Sequence, residues 1–161
     1  MNVFMKDAIK SGVSFGLSSG VITTLGLLVG LWASTDSKLV VIGGVLMVAI
    51  ADSFSDALGI HLSKESVKKH NKKYIWDATL STFFTKFFIA SSFLAFLFFF
   101  SLNVAIVISV VYGFVLIGVF SWWLAKERGE KIWRGMLEHL FIAFVVVAIT
   151  YFVGHFVNRF F

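Results

Sequence analysis

The chain has no cysteine and no proline among its 161 residues. Without cysteine there can be no disulfide, thiolate metal site or cysteine nucleophile. Without proline nothing forces a kink in a long helix. Charge is scarce too: Asp, Glu, Lys and Arg make up 14% of the chain, against 58% hydrophobic residues and a mean hydropathy of +0.91. A water-soluble domain of this size needs a polar coat, and too few polar residues are present to make one. No nucleophile elbow, phosphate-binding loop or HExxH zinc motif occurs, so the sequence does not read as an enzyme.

What the chain does have is long apolar runs. Five are long enough to cross a bilayer as helices of about 20 residues. They lie near 11–34, 39–62, 78–100, 104–124 and 136–157. The expected fold is an all-α membrane protein, a single domain over 1–161. The first run, Ser11 to Thr35, is uncharged and too long for a signal-peptide core, so no cleaved leader is expected. Only "SLN" separates the third and fourth runs, which predicts a tight helical hairpin. The substantial loop is 63–77, "SKESVKKHNKKYIWD".

Lysine and arginine set the expected orientation. The amino-terminal segment, the 63–77 loop and the loop between the fourth and fifth runs hold 2, 5 and 4 of the 14, while Lys38 and Arg159 fall on the other side and Lys86 lies inside the third run. The positive-inside rule then places the N-terminus in the cytosol and the C-terminus outside or in a lumen. Tyr74, Trp76, Trp122, Trp123 and Trp133 gather at the inner interface and Trp32 at the outer one, as an aromatic belt does. The net charge of +5 therefore reports topology and attraction to anionic lipid, not nucleic-acid binding.

Polar residues inside the runs are the candidates for function. In the first, Gly12, Gly16 and Gly20 recur every four residues and make one bare strip. Such a strip lets membrane helices approach closely, either for packing alone or along a polar path beside Ser19 and Thr23. In the second, Ser55, Asp56, Gly59 and Ser63 fall within about 60° of Asp52 at 100° per residue. Asp52 lies roughly 15 Å deep, near the bilayer midplane. An ionised Asp there costs at least about 2.5–3.5 kcal/mol, so some function or partner is expected to retain it. Lys86, at roughly 12 Å by the same rise, is deep enough to neutralise one aspartate or to snorkel out to the headgroups. Met47, about 140° round the helix from Asp52, reads as packing. His61, His70 and His139 read as interfacial or solvated. Glu138 is interfacial by default and otherwise a candidate guard of the inner opening.

Three stretches resemble the vacuolar iron transporter family: "GLSSGVITTLGLLVGL", "ADSFSDALGIHLSKES" and "MLEHLFIAFVVVAITYFVGHFV", with "ATLSTFFT" as a fainter match. The resemblance implies a homodimer that moves ferrous iron or manganese out of the cytosol in exchange for protons, by a path between the first and second helices at the dimer interface. The 63–77 loop lacks the cytosolic metal-binding insert of some members. Departures fall on the family's functional positions. Ser19 stands where it has an aspartate, Asp56 where it has a methionine and Ile60 where it has a glutamate.

The combined expectation is a divalent-cation transporter with Asp52 and Asp56 as the metal ligands. Ser19, Thr23, Ser55 and Gly59 are expected to line the path, and Gly12, Gly16 and Gly20 to form the packing or dimer seam. Lys86 and Glu138 are candidates for an ion pair or gate. An oxygen-rich, sulfur-poor site suits Mn2+, Fe2+ or Mg2+ better than copper or zinc, and with the resemblance the expected transported substrate is Fe2+ or Mn2+, with no permanently bound cofactor. Bilayer lipid and a second copy of the chain are the expected partners, and the cytoplasmic membrane of a prokaryote the expected location. Two alternatives stand beside this: a non-transporting assembly module in which Asp52 and Asp56 pair with Lys86, and a carrier of another small solute.

Overall fold

The computed structural model describes residues 3–129 and 131–161, with side chains from Lys6 onward. The chain forms five long helices. The first is Val3–Thr35, the second Lys38–Glu65, the third Lys72–Phe99, the fourth Leu102–Arg128 and the fifth Ile132–Phe160. All five are long and apolar enough to cross a membrane, and no strand occurs among the described residues, so the chain is an all-α membrane protein. Each helix runs past the apolar run that marked it, because polar flanks at an interface continue a helix once it has begun.

The turns follow local chemistry. Ser37 caps the second helix and Asn71 the third, Asn71 Oδ1 accepting from Tyr74 N at 2.8 Å. Asp36, with φ 47°, makes the tight reversal between the first two helices, a left-handed position that a short polar side chain tolerates. Gly129 ends the fourth helix at φ 67°, where any Cβ would be strained.

The first helix is central and touches all the others. Its Val21, Leu25 and Leu28 pack with Phe93 and Leu97 of the third helix and Ile106 of the fourth. The second and fifth helices lie outside, with large exposed apolar faces that include Leu39, Met47, Phe54, Phe141 and Phe152. The bundle has a basic end, where Lys10 meets Glu127 at 2.7 Å, and an opposite end, where Asn158 Nδ2 donates to Ser34 O at 2.8 Å.

The glycine strip is used inside the subunit. A Cβ on Gly12 would collide with Ser81 and with the Ala78 carbonyl, and one on Gly16 would lie 2.7 Å from the Thr82 carbonyl oxygen. Gly20 leaves room for Ile89, 3.3 Å from the same notional atom. All these contacts belong to the third helix of the same chain. The expectation that these glycines meet a second copy is therefore corrected: their bare face is already covered, and a dimer would need another surface.

The second helix is not uniform. Val48–Asp52 form a π turn between α-helical segments Lys38–Met47 and Ser53–Glu65. This is the one irregularity in the described spans, and it ends on Asp52. Single π turns of this kind are frequent at functional sites.

Candidate functional site

Four mid-span residues from three helices meet in the centre of the bundle. Ser19 comes from the middle of the first helix, Asp56 and Asp52 from the second, and Lys86 from the middle of the third. Lys86 is fully buried and is the one charged side chain among the largest fully buried ones of the described residues. Its ammonium has three N–H donors and meets three oxygens. Nζ donates to Ser19 Oγ at 2.9 Å, donates to Asp56 Oδ2 and lies 2.5 Å from Asp52 Oδ2. Snorkelling is thus excluded, and Lys86 pairs with both aspartates rather than one.

The two aspartates are not equivalent. Asp56 is the anchored one: Oδ2 accepts from Ser19 Oγ at 2.6 Å as well as from Lys86. Asp52 touches Lys86 as a charge contact without hydrogen-bond alignment, through an oxygen that is itself sealed from solvent. The rest of its side chain is 32% exposed. It opens on a groove between the first, second and fifth helices that Thr23, Met47 and Thr150 also line. Thr23 Oγ1 donates back to Ser19 O at 2.8 Å, so its hydroxyl oxygen keeps a lone pair for the groove.

Met47, which the sequence reads as packing, also lies on this groove. The 140° separation from Asp52 assumed 100° per residue. A π turn closes i to i+5, so it carries each residue less far round and brings residues five apart towards one face. No pattern in "MVAIAD" announces that turn. Thr150, on the fifth helix, needed the tertiary packing to reach the groove.

Other expected lining residues lie elsewhere. Ser55 and Gly59 are exposed on the outer side of the second helix, and nothing lies within 4 Å of a Cβ placed on Gly59. Asp56, by contrast, turns inward to Lys86. Glu138 is exposed on the fifth helix and makes no hydrogen bond or ion pair among the described residues, so it does not pair with Lys86. His61 is half-buried, its Nδ1 3.0 Å from Thr79 Oγ1, and His70 Nδ1 lies 3.0 Å from Lys64 O.

Two carboxylates and one ammonium leave a formal charge of −1 when all are ionised. One further cation would neutralise the site or leave it positive, according to its valence. No three carboxylates or imidazoles come together among the described residues, so a cation here would draw on carboxylate, hydroxyl and thioether groups.

Residues 9–77 match the sequence model of the VIT family, the vacuolar iron transporters. That stretch carries the first and second helices, and with them Ser19, Asp52 and Asp56. The match covers 69 of the 161 residues and is a likeness to that family over the first two helices. No curated protein matches the chain.

Proposed function

We propose, from the likeness to the vacuolar iron transporter family over residues 9–77, that the chain carries divalent metal ions of the Fe2+ or Mn2+ type out of the cytosol. The basic end then faces the cytosol, as the lysine and arginine distribution expects. The substrate ion takes the groove between the first, second and fifth helices. Asp52 is its carboxylate ligand, Thr23 its hydroxyl and Met47 a neighbouring thioether. Asp56 and Ser19 serve a different part: they hold Lys86. The observation that carries this reading is the asymmetry of Asp52, one oxygen on a buried ammonium and the rest of the side chain open to a groove.

Lys86 then acts as a resident cation. It compensates the carboxylates while no metal is bound, and an arriving divalent ion competes with it for Asp52. Exchange for protons and a second copy closing the open side of the groove complete the reading. The exposed faces of the second and fifth helices offer that closure, in place of the glycine strip.

A second reading rests on a specific observation. Lys86 is held within the chain by hydrogen bonds to Ser19 and Asp56 and a charge contact with Asp52, which is what a structural ion pair in a non-transporting membrane module needs. Mn2+ flux into proteoliposomes separates the two. Transport predicts that Asp52→Asn loses most of the flux while the purified protein keeps its fold. Wild-type flux in Asp52→Asn would exclude Asp52 as the ligand, and no flux above empty vesicles in the wild type would favour the module.

A further inference from the structure

A second polar cavity lies at the basic end, between the first, fourth and fifth helices. It is separated from the triad by the first helix, whose other face holds Ser19. Its volume is about 500 Å³. The mouth carries Asp7, Lys10, Ser11 and Arg128, and the deep end is apolar, with Leu17, Ile22, Ile117 and Ile142. Between them stand Ser14, Ser18 and a coupled pair, Ser121 and His139, whose Oγ and Nδ1 are 2.8 Å apart.

Its chemistry does not suit a metal cation. Lys10 and Arg128 put two full positive charges on the lining against one negative charge from Asp7. Lys10 is held by Glu127, but both are substantially exposed, at 36% and 44%, so the pair is weak and can admit a competing anion. Arg128 has an interaction of its own, and its five N–H donors leave capacity for an oxyanion. Ser121 is buried and occupies His139 Nδ1, which leaves Nε2 as the ring nitrogen for a ligand. Lys10 also lies over Trp123, 5.7 Å from the ring centroid, and Lys126 over Trp122, which sets the mouth at headgroup level.

We infer that this cleft is a binding site for one phosphate-bearing lipid of the leaflet at the basic end. Lys10, Arg128 and His139 hold the phosphate, and an acyl chain follows the apolar wall past Leu17 to Ile22. The gradient from cations through hydroxyls to aliphatic side chains decides for a lipid over free phosphate, because a free anion makes no use of the deep half. The site does not rest on the transport reading and survives its failure, since Asp52, Asp56 and Lys86 do not line it and only Ile22 is common to the cleft and the groove.

The test uses the full chain in dodecylmaltoside, titrated with dioleoylphosphatidylglycerol, dioleoylglycerol or inorganic phosphate. Tm and the number of lipids retained in native mass spectrometry are read. Phosphatidylglycerol is expected to raise Tm and to be retained as one copy per chain, and the other two to do neither. Arg128→Gln and Lys10→Gln, both at exposed positions, should each weaken retention about tenfold, as loss of one charge-assisted contact implies. Ser18→Leu, which fills the cleft, should abolish it, and Asp52→Asn should leave it unchanged. Equal stabilisation by dioleoylglycerol would reduce the cleft to ordinary lipid contact, and an equal effect of phosphate alone would remove the lipid from the proposal. Wild-type retention in both Arg128→Gln and Lys10→Gln would overturn it.

Discussion

The mid-membrane triad and the cleft at the basic end both place cations beside carboxylates, yet they treat charge in opposite ways. Lys86 is sealed, with two hydrogen bonds and one charge contact to oxygens of the same chain. Lys10 and Glu127 form a pair of similar length with more than a third of each side chain in the open. Burial removes the water that would otherwise compete, so the triad's groups depend on one another, while the surface pair can part at little cost. The contrast teaches that an ion pair's role follows from what surrounds it rather than from its N–O distance. Within the triad the same holds on a smaller scale, between anchored Asp56 and half-open Asp52.

The largest effect should come from Lys86→Met. It leaves two mid-membrane carboxylates facing each other without their cation, a change that typically costs about 3–5 kcal/mol. A large fall in Tm is expected, and combining Lys86→Met with Asp52→Asn and Asp56→Asn should recover most of it. If Lys86→Met melts like the wild type, the buried-charge side of the comparison collapses.

Gly16→Leu comes next. It forces a side chain against the Thr82 backbone, and overpacking of this sort costs about 1–3 kcal/mol. Because the clash is internal, the loss of Tm should be the same at low and high protein concentration. A loss confined to dilute samples would return the glycine strip to an interface between copies.

Asp56→Asn should destabilise more than Asp52→Asn. Asp56 accepts from both Ser19 and Lys86, and charge-assisted hydrogen bonds are worth about 1.5–3 kcal/mol each. Asp52 holds Lys86 by one unaligned contact and is partly exposed. Paired thermal melts decide this, and the reverse order would exchange the parts given to the two aspartates.

Smallest of all should be Lys10→Ala or Glu127→Ala, at about 0–1 kcal/mol and less in high salt. A salt-independent loss as large as that of Lys86→Met would show that exposure does not separate the two regions.

Much of this molecule is legible in its sequence. Five apolar runs, with too few polar residues for a soluble coat, determine five spanning helices, because a bilayer accepts no unpaired backbone and a helix pairs its own. Asp52 and Asp56 stand out in the second run for the same reason: an ionisable residue at that depth must have a partner or a task. The likeness to the vacuolar iron transporters was also readable, and the family match over residues 9–77 falls on two of the stretches that carried it.

The remainder was decided by packing. Helical periodicity gives the face a residue occupies but not the neighbour that face will meet, so the spacing of Gly12, Gly16 and Gly20 reads the same for a second copy as for the third helix. Only the assembled bundle shows their backbone laid against Ala78 and Thr82. Lys86 was visible as a deep lysine, but its position between both aspartates required three helices to converge at one level. The π turn at Val48–Asp52 changed the angular count itself, bringing Met47 and Asp52 onto one groove where a regular helix would hold them apart. Sequence determined which elements form and which residues need an explanation. Tertiary structure decided which groups meet, because contact between distant segments depends on crossing and depth that no local pattern encodes.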